Sequence, residues 1–280
     1  MKKQYELSVC IPTYNQTNYL KRTLDSLVLQ TQQGFELIIS DDSSTEEVFS
    51  LVQNYVSFFG DRIRYVKNTP AFGSPKNWNE SIKLATGEYI KILHHDEWLV
   101  DGDVLQKMVD LIKKNPTSLV FAGIKGTIVK ENRTYVNLPK EEILSSIQLD
   151  PFSLIWANVI GPPSTILFKK NDVCFDDRLI WLVDIDFYLQ LLLNKHLKLC
   201  YLPEVLFENC QDEHNITNQC WQNKDLEMKE FLLIYDKFNA NCSYIHKLKF
   251  LIKLKKHISH YAKVSFLELV IYTYKKKWLL

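Results

Sequence analysis

A run of four imidazole and carboxylate side chains follows an apolar stretch near residue 90. The run consists of His94, His95, Asp96 and Glu97. The stretch before it, residues 89–93, is apolar except for one lysine and predicts a buried strand. In open α/β sheets, ligands bind outside the carboxyl ends of the strands, and imidazole and carboxylate groups hold divalent metal ions. The run therefore predicts a ligand or metal site, with a solvated polar turn as the alternative.

Two earlier strands also end in polar segments. The first strand, residues 7–11, is followed by Pro12, Thr13, Tyr14 and Asn15, and the second, residues 35–39, leads into Asp41 and Asp42. If these strands are parallel neighbours, the two segments lie side by side. Carboxylates then accept hydrogen bonds from a base N–H and a ribose hydroxyl, and a tyrosine ring offers a stacking face. This predicts a nucleoside site, although Asp-Asp-Ser-Ser is also a good turn and helix cap.

The elements that would position these segments alternate between strand and helix. Strands are expected at 7–11, 35–39, 62–66, 89–93, 118–123 and 166–168, and helices at 17–30, 46–59, 78–85, 103–114 and 183–193. Residues 138–149 predict a loop or short helix, and the chain from Trp221 onward reads as helical. This order implies βαβ units, so the predicted fold is α/β, with a mainly parallel Rossmann-like sheet flanked by helices.

Several segments together resemble family 2 of the glycosyltransferases. They are Ile-Pro-Thr-Tyr-Asn at 11–15, Phe-Glu-Leu-Ile-Ile-Ser-Asp-Asp-Ser-Ser-Thr at 35–45 and Gly-Glu-Tyr-Ile at 87–90. The resemblance is close over about residues 5–100 and traceable to about 215. It implies a GT-A fold and an inverting transferase that takes a sugar from a nucleotide donor, with a UDP-sugar as the expected donor and Mn²⁺ or Mg²⁺ as the expected metal.

The resemblance also implies roles for individual residues. It assigns the nucleotide donor to Pro12, Thr13, Tyr14, Asn15, Asp41, Asp42, Lys76, Asn77, His94 and His95, and the metal to Asp96, Glu97 and His214. His94 stands where the family commonly has the first Asp of its acidic metal motif, while Asp96 keeps the position of the more direct ligand. Lys76 replaces the family's arginine and would meet the donor phosphates as a point charge.

The catalytic base is expected in residues 177–188, which resemble the family's Glu-Asp-x-Asp/Glu-aromatic segment. The resemblance makes Asp184 the base and Asp186 a supporting or acceptor-binding acid, with Val183 in place of the glutamate. Asp176, Asp177 and Asp186 compete for the role of base. The alternative is that Asp184 only caps the following helix, a role that contributes about 1 kcal/mol.

Composition suggests a catalytic body with a basic tail. We expect a catalytic domain over 1–220, with a nucleotide-binding half to about 100 and an acceptor half after it, and a helical extension over 221–280. Residues 244–280 hold nine lysines and one acidic residue, so the rest of the chain is acidic. The lysines at 249, 253, 256 and 263 fall on one helical face, and apolar residues at 248, 251, 252, 258 and 262 on the other. This pattern predicts contact with an anionic membrane surface, or else packing of the apolar face on the body.

The expected protein is cytoplasmic, or peripheral on the inner face of the cytoplasmic membrane. The first six residues leave no room for a signal peptide, and no run of about 18 uncharged apolar residues offers a membrane span. The six scattered cysteines favour reduced thiols. The expected acceptor is a glycan or lipid-linked glycan, as in surface-polysaccharide synthesis, and nucleic acid is disfavoured because the body is acidic.

Two alternative functions stay open at this stage. A catalytically silent module that binds sugar or nucleotide is suggested by the unusual His94 and Val183. A sugar-nucleotide nucleotidyltransferase shares the architecture, but its Gly-rich loop is missing after the first strand. No Gly-x-Gly-x-x-Gly motif follows that strand, which disfavours a dinucleotide site.

Overall fold

A computed structural model describes residues 5–211, 220, 222–239 and 244–275. They group into two compact units. The first takes its described residues from 1–177 and 183–213, and the second from 178–182 and 214–280. The segment 178–182 therefore groups with the C-terminal helices although it interrupts the first unit in sequence. The predicted division at residues 220 and 221 stays a prediction.

The first unit is built on a mixed sheet. Its strands within the described residues are β1 (Leu7–Thr13), β2 (Phe35–Asp41), β3 (Ile63–Lys67), β4 (Tyr89–Ile92), β5 (Glu97–Leu99), β6 (Ser118–Ile128), β7 (Arg133–Asn137), β8 (Ile166–Lys169) and β9 (Lys198–Gln211). Their order is β3-β2-β1-β4-β8-β6-β9-β5, with β7 paired to β6. The strands β1 to β4 pair in parallel, β8 runs antiparallel to β4 and β6, and β9 runs parallel to β6.

Helices of the first unit cover this sheet. They are α1 (Thr17–Val28), α2 (Glu47–Gln53), α3 (Val56–Phe59), α4 (Lys76–Leu84), α5 (Val104–Lys114), α6 (Glu141–Leu149) and α7 (Val183–Leu189), which continues as a π-helical turn over Gln190–Asn194. Every residue of β1 and β2 is buried, as expected for parallel strands covered on both faces. In α1 the predicted apolar stripe of Leu20, Leu24 and Leu27 packs into the same core.

The predicted α/β fold is confirmed, and its details differ in the second half of the sheet. The predicted helix over 46–59 is two helices, and β5, β7 and β9 were absent from the predicted elements. Pro203 interrupts the pattern of β9, because proline cannot donate to a sheet ladder. The structure accommodates it with a bulge, in which Ala122 pairs with Leu202 and Gly123 with Val205. A Cβ on Gly123 would lie 2.9 Å from the carbonyl oxygen of Glu204, so this close approach requires glycine.

The second unit contains helices α8 (Lys224–Asn239), α9 (Tyr244–Ile258) and α10 (Phe266–Lys275). On α9, Leu251 and Ile258 of the predicted apolar face are buried, whereas Ile252 is 55% exposed. Phe250 packs on Tyr235 of α8, with ring centroids 4.3 Å apart. The apolar face of α9 thus packs inside its own unit. Across the described ranges, none of the helices combines the length and the apolar character needed to cross a bilayer.

Candidate active site

The loops that follow β1 and β2 are locked to each other. The strand register places Thr13 opposite Asp41, and the amide of Asp42 donates to the carbonyl of Thr13 at 3.0 Å. Asn15 has a left-handed backbone, with φ 59°, so that its amide donates to Ser43 Oγ at 2.7 Å. The two polar segments found in the sequence therefore meet, as expected for parallel neighbours.

The Asp41 carboxylate is occupied by hydrogen bonds within these loops. Its carboxylate is fully buried and accepts hydrogen bonds from Ser43 N at 2.8 Å, from Tyr65 Oη at 2.6 Å and from Lys67 Nζ at 3.2 Å. The hydroxyl of Ser43 also donates to it. Burial and the neighbouring Asp41 carboxylate raise the pKa of the Tyr65 hydroxyl, which keeps it a donor. Asp41 thus stabilises the conformation of the loop that follows β2.

Asp42 is held from the opposite side of the loop. It is buried, with Asn68 Nδ2 donating to Oδ1 at 2.8 Å and the amide of Gly73 donating to Oδ2 at 2.7 Å. The same Asn68 amide group lies 3.1 Å from Asn77 Oδ1. Asn68 directly follows β3, and that position at the carboxyl end of a strand was the signal that could have identified it in the sequence.

Asn77 ties the ends of two strands together. Its Nδ2 donates to the carbonyls of Ser40 at 3.0 Å and Thr13 at 3.3 Å, and the side chain is buried. Two groups near this framework keep capacity for a ligand. The buried Thr13 Oγ1 has no hydrogen-bond partner among the described residues, and the Tyr14 side chain is 56% exposed.

The turn after β4 pairs His94 with Glu97. His94 Nδ1 lies 3.0 Å from Glu97 Oε2, and the imidazole ring packs against Trp78 with centroids 4.5 Å apart. Thr23 Oγ1 on α1 fixes the turn by contacting the carbonyls of His95 at 2.9 Å and Glu97 at 2.8 Å. In the described part of the chain, the buried Nε2 atom of His94 meets no hydrogen-bond partner.

The electrostatics of this pair favour an imidazolium beside a carboxylate. Burial acts to lower the pKa of His94, but the Glu97 carboxylate, with Asp96 and Asp184, outweighs it and raises that pKa. Burial acts to raise the pKa of Glu97, but the charge and hydrogen bond of His94 lower it. Lys91, fully buried in β4, also lowers the pKa of Glu97. Glu97 is therefore engaged with His94 rather than displayed to solvent.

Asp96 lies at the tip of the same turn. Burial and the neighbouring Glu97 raise the pKa of its carboxyl, while His95 and His94 oppose the shift. The described residues contain no group of three or more His, Cys, Asp or Glu side chains arranged to hold a metal ion. His214, assigned to the metal from the sequence, lies outside the described residues.

The structure brings Asp184 into the electrostatic field of the His94–Glu97 pair. Asp184 is the second residue of α7, and burial raises the pKa of its carboxyl to about 7, with His94 opposing and Glu97 reinforcing the shift. Its Oδ1 atom is buried and has no hydrogen-bond partner in the described ranges. A carboxylate with a pKa near 7 suits proton abstraction at neutral pH.

The other candidate acids of this segment have different surroundings. Asp186 is fully buried, and Gln190 Nε2 donates to its Oδ2 at 2.8 Å, which suits a supporting role more than contact with an acceptor. Asp177 pairs with Lys76 at 3.3 Å, and both side chains are about half exposed. Residues that sequence reasoning did not single out are Trp78 against His94 and Ser164 beside Glu97.

Comparison with known proteins relates most of this chain to glycosyltransferases. The model described as "Glycosyl transferase family 2" matches residues 8–173. A poly(ribitol-phosphate) beta-glucosyltransferase of Bacillus spizizenii is 24% identical over 228 residues, which cover 74% of this chain and 36% of that protein. An uncharacterized glycosyltransferase of Rickettsia typhi is 30% identical over 194 residues, which cover 66% and 58%. This chain thus spans less than two thirds of the length of these curated relatives.

Solved structures share the fold. Crystalline S. aureus TarS in complex with UDP-GlcNAc superposes with a TM-score of 0.68 at 21% identity, covering 91% of this chain and 73% of that one. The mannosyltransferase PcManGT of Pyrobaculum calidifontis, in complex with GDP-Man and Mn²⁺, superposes with a TM-score of 0.59 at 15% identity, covering 96% and 79%. At these identities the likeness shows the GT-A fold.

Proposed function

Because this chain belongs to glycosyl transferase family 2, we propose that it moves a sugar from a UDP-sugar to a hydroxyl of a glycan or lipid-linked glycan with inversion at the anomeric carbon. The observation that carries the proposal is the meeting of Asp184 with the His94–Glu97 pair. A carboxyl with a pKa of about 7 lies in the field of a buried imidazole whose Nε2 atom has no hydrogen-bond partner among the described residues. Such pairs of perturbed groups mark functional sites.

The proposed chemistry assigns the proton to Asp184. In its ionised form, Asp184 accepts the proton of the acceptor hydroxyl as the oxygen attacks the anomeric carbon from the face opposite the nucleotide. The bond to the diphosphate breaks, and direct displacement inverts the anomeric centre. His94, held by Glu97, turns its Nε2–H to the diphosphate oxygens on which negative charge develops. Asp186 supports α7 through Gln190.

Donor binding is proposed for the loops after β1 and β2. Thr13 Oγ1, which has no partner in the described part of the chain, supplies a hydrogen-bonding group, and the exposed Tyr14 ring supplies a stacking face, while the buried Asp42 orders the loop beside them. A UDP-sugar is favoured because the TarS structure contains UDP-GlcNAc. Lys76 and His95 are proposed to meet the phosphates, whereas Asp41 and Asn77 shape the loops.

The donor set near Asp96 fits a divalent ion in part. Asp96 offers a carboxylate at the tip of the turn, and together with the diphosphate oxygens of a bound donor it would supply the oxygen ligands that Mn²⁺ or Mg²⁺ prefers. When bound, such an ion would act as a Lewis acid that neutralises the leaving diphosphate. We assign the ion to Asp96 and not to Glu97, because Glu97 is buried against His94.

Membrane contact through α9 belongs to the same proposal. With its apolar face packed inside the second unit, the helix exposes lysines at 249, 253 and 256 together with Ile245 and Ile252. Lysines around protruding apolar side chains suit a surface of anionic lipid. Sedimentation with phosphatidylglycerol vesicles, compared with phosphatidylcholine vesicles, tests this contact.

The deciding experiment measures nucleotide release from UDP-, GDP-, dTDP- and CMP-sugars with Mn²⁺, Mg²⁺ or EDTA. Lipid-linked glycans and poly(ribitol phosphate) serve as acceptors, the latter because of the Bacillus relative. We expect one sugar nucleotide to turn over with a metal ion and Asp184→Asn to abolish the turnover. If no donor reacts while a nucleotide still binds, the chain is a silent binding module and the proposal fails.

A further inference from the structure

A buried carboxylate of the second unit holds the segment that precedes the candidate base. Glu230 on α8 has no solvent exposure. Its Oε1 accepts from the amide of Ile180 at 2.7 Å, and its Oε2 accepts from the amides of Trp181 at 2.9 Å and Leu182 at 2.8 Å. Three successive amides converging on one carboxylate form an anion-binding nest.

The nest leads directly into the catalytic helix. Leu182 is bonded to Val183, the first residue of α7, and the next residue is Asp184. Leu179 and Leu182 are buried as well, so apolar packing fixes the same segment on either side of the exposed Ile180.

We propose that Glu230 is a positioning residue: it clamps the backbone of residues 180–182 and thereby fixes the start of α7 and the direction of the Asp184 carboxylate. The C-terminal helices then have a catalytic purpose that does not depend on a membrane. The proposal rests on the proposed function in so far as Asp184 is the base. The clamp itself is independent of it.

The free-energy cost of burying a carboxylate indicates that the contact between Glu230 and residues 180–182 has a specific role. A charged side chain is almost never fully buried unless it is paired, and here backbone amides take the place of a cation. Charge-assisted hydrogen bonds of this kind are shorter and stronger than neutral ones. A segment that only connected two elements would need no such group, since water or turn bonds satisfy loop amides at the surface.

Glu230→Gln and Glu230→Asp test the clamp, with Glu227→Gln as the matched control. Glu227 is buried on the same helix but pairs with His257 at 3.0 Å. In the glutamine variant the amide N–H₂ faces backbone donors, and in the aspartate variant the carboxylate is one methylene short. We expect hydrogen exchange across residues 180–189 to quicken at least about tenfold in both variants, because the local opening energy falls. The control should leave this region protected.

Activity separates positioning from mere stability. We expect kcat to fall about 10- to 100-fold in Glu230→Gln, since small misplacement of a catalytic group has this effect. The KM for the donor should stay within about twofold, because the donor loops after β1 and β2 are untouched. The control Glu227→Gln should keep its kcat, and melting curves confirm that all three variants are folded.

Each outcome decides a separate point. Unchanged exchange over 180–189 in Glu230→Gln overturns the clamp, and quickened exchange with wild-type kcat overturns the positioning role. Quickened exchange limited to 180–182, with α7 still protected, also overturns positioning and needs no turnover. If the wild type transfers no sugar at all, the exchange data still decide whether Glu230 orders α7, so failure of the proposed function stays distinguishable.

Discussion

Two groups of polar side chains lie at the carboxyl ends of the parallel strands, and they differ in how far their hydrogen bonds are satisfied. Around β1 and β2, Asp41 and Asp42 each accept hydrogen bonds on both oxygens. Around the turn after β4, His94 Nε2 and Asp184 Oδ1 are buried without a partner among the described residues. Among the described residues, both carboxylates of the first group are therefore satisfied and Thr13 Oγ1 is left without a partner, whereas in the second group the imidazole and the carboxylate themselves lack partners.

The contrast separates residues that hold the loops in one conformation from residues expected to take part in the reaction. A satisfied carboxylate keeps an ordinary hydrogen-bonding environment and holds a loop in one conformation, which pre-organises a binding surface. A buried polar group without a partner costs free energy and persists when function requires it. Substitutions should therefore harm stability in the first group and reaction rate in the second.

The largest effect is expected for Asp184→Asn. The amide cannot accept a proton, so kcat should fall by about 10²- to 10⁴-fold, the usual contribution of a general base. Donor affinity should stay near that of the wild type. Single-turnover assays and isothermal titration with the donor nucleotide measure the two quantities. Retention of more than about a tenth of kcat would mean that another acid is the base.

The pH dependence sharpens the same contrast in the wild type. Because burial raises the pKa of Asp184 to about 7, kcat/KM should fall about tenfold per pH unit below 7. The free energy of unfolding should change in the opposite direction and fall as the pH rises. The pKa of Asp184 in the unfolded chain is about 3.9, so its contribution to stability is complete below that pH and is lost as the pH rises through 7.

Paired measurements at pH 5 and pH 8 check this prediction. The wild type should gain activity and lose stability between them, while Asp184→Asn should show less of the stability loss. A wild-type rate profile that is flat between pH 5 and pH 8 would contradict a base with a pKa near 7.

A third prediction concerns the partner of His94. Glu97→Gln keeps the size of the side chain but removes the charge that holds the imidazole protonated and oriented. We expect affinity for the donor diphosphate, or activity, to fall about 10- to 100-fold, as for other groups that orient a binding imidazole. Titration with UDP and with uridine distinguishes the cause, since only UDP binding should weaken. Equal weakening of both would indicate a disturbed loop instead.

How much of the fold and of the candidate site can be predicted from the sequence depends on how far apart the contacting residues lie along the chain. The strand ends at 12–15, 41–42 and 94–97 were predictable, because apolar runs locate the strands and parallel neighbours bring their ends together. Glu230 could not be predicted, because it acts on residues 48 to 50 positions away. Asn68 acts on a residue 26 positions away, and only its place directly after β3 could have pointed to it. The strand β9 was hidden by Pro203, whose bulge can be recognised only once β6 lies beside it.

The pairing of His94 with Glu97 shows a second limit. The resemblance suggested that Glu97 binds metal, since carboxylates follow the strand in a row. In the structure Glu97 is buried, and His94, Ser164 and Lys91 act on its carboxylate, so its assignment to a metal ion stays a prediction. Which carboxylate of a row faces the ligand is decided by the pleat and the turn, and a linear motif carries little of that information.

Asp41→Asn makes the same chemical change as Asp184→Asn in the satisfied framework. Asp41 accepts from several donors, and an asparagine would present an N–H₂ group to some of them. The free energy of unfolding should fall by about 2–3 kcal/mol, because hydrogen bonds to a charged group are lost in a buried site. Urea unfolding of both variants provides the comparison, with Asp184→Asn expected to be at least as stable as the wild type at pH 8. Similar losses in both would remove the distinction between the two regions.

The smallest effect is expected for Lys76, the first residue of α4. Its ion pair with Asp177 is exposed, so Lys76→Ala should change stability by less than about 1 kcal/mol. If Lys76 meets the donor phosphates, the donor KM should rise roughly three- to tenfold at low salt and less at high salt.

Lys83→Ala is the matched control, since Lys83 is an exposed lysine of the same helix that pairs with a carboxylate, that of Glu80. Lys76→Arg should bind at least as tightly as the wild type, because a guanidinium adds bidentate contacts to phosphate. Equal KM values for the two alanine variants would leave the phosphate contact to His94 and His95 and make Lys76 a solvated lysine.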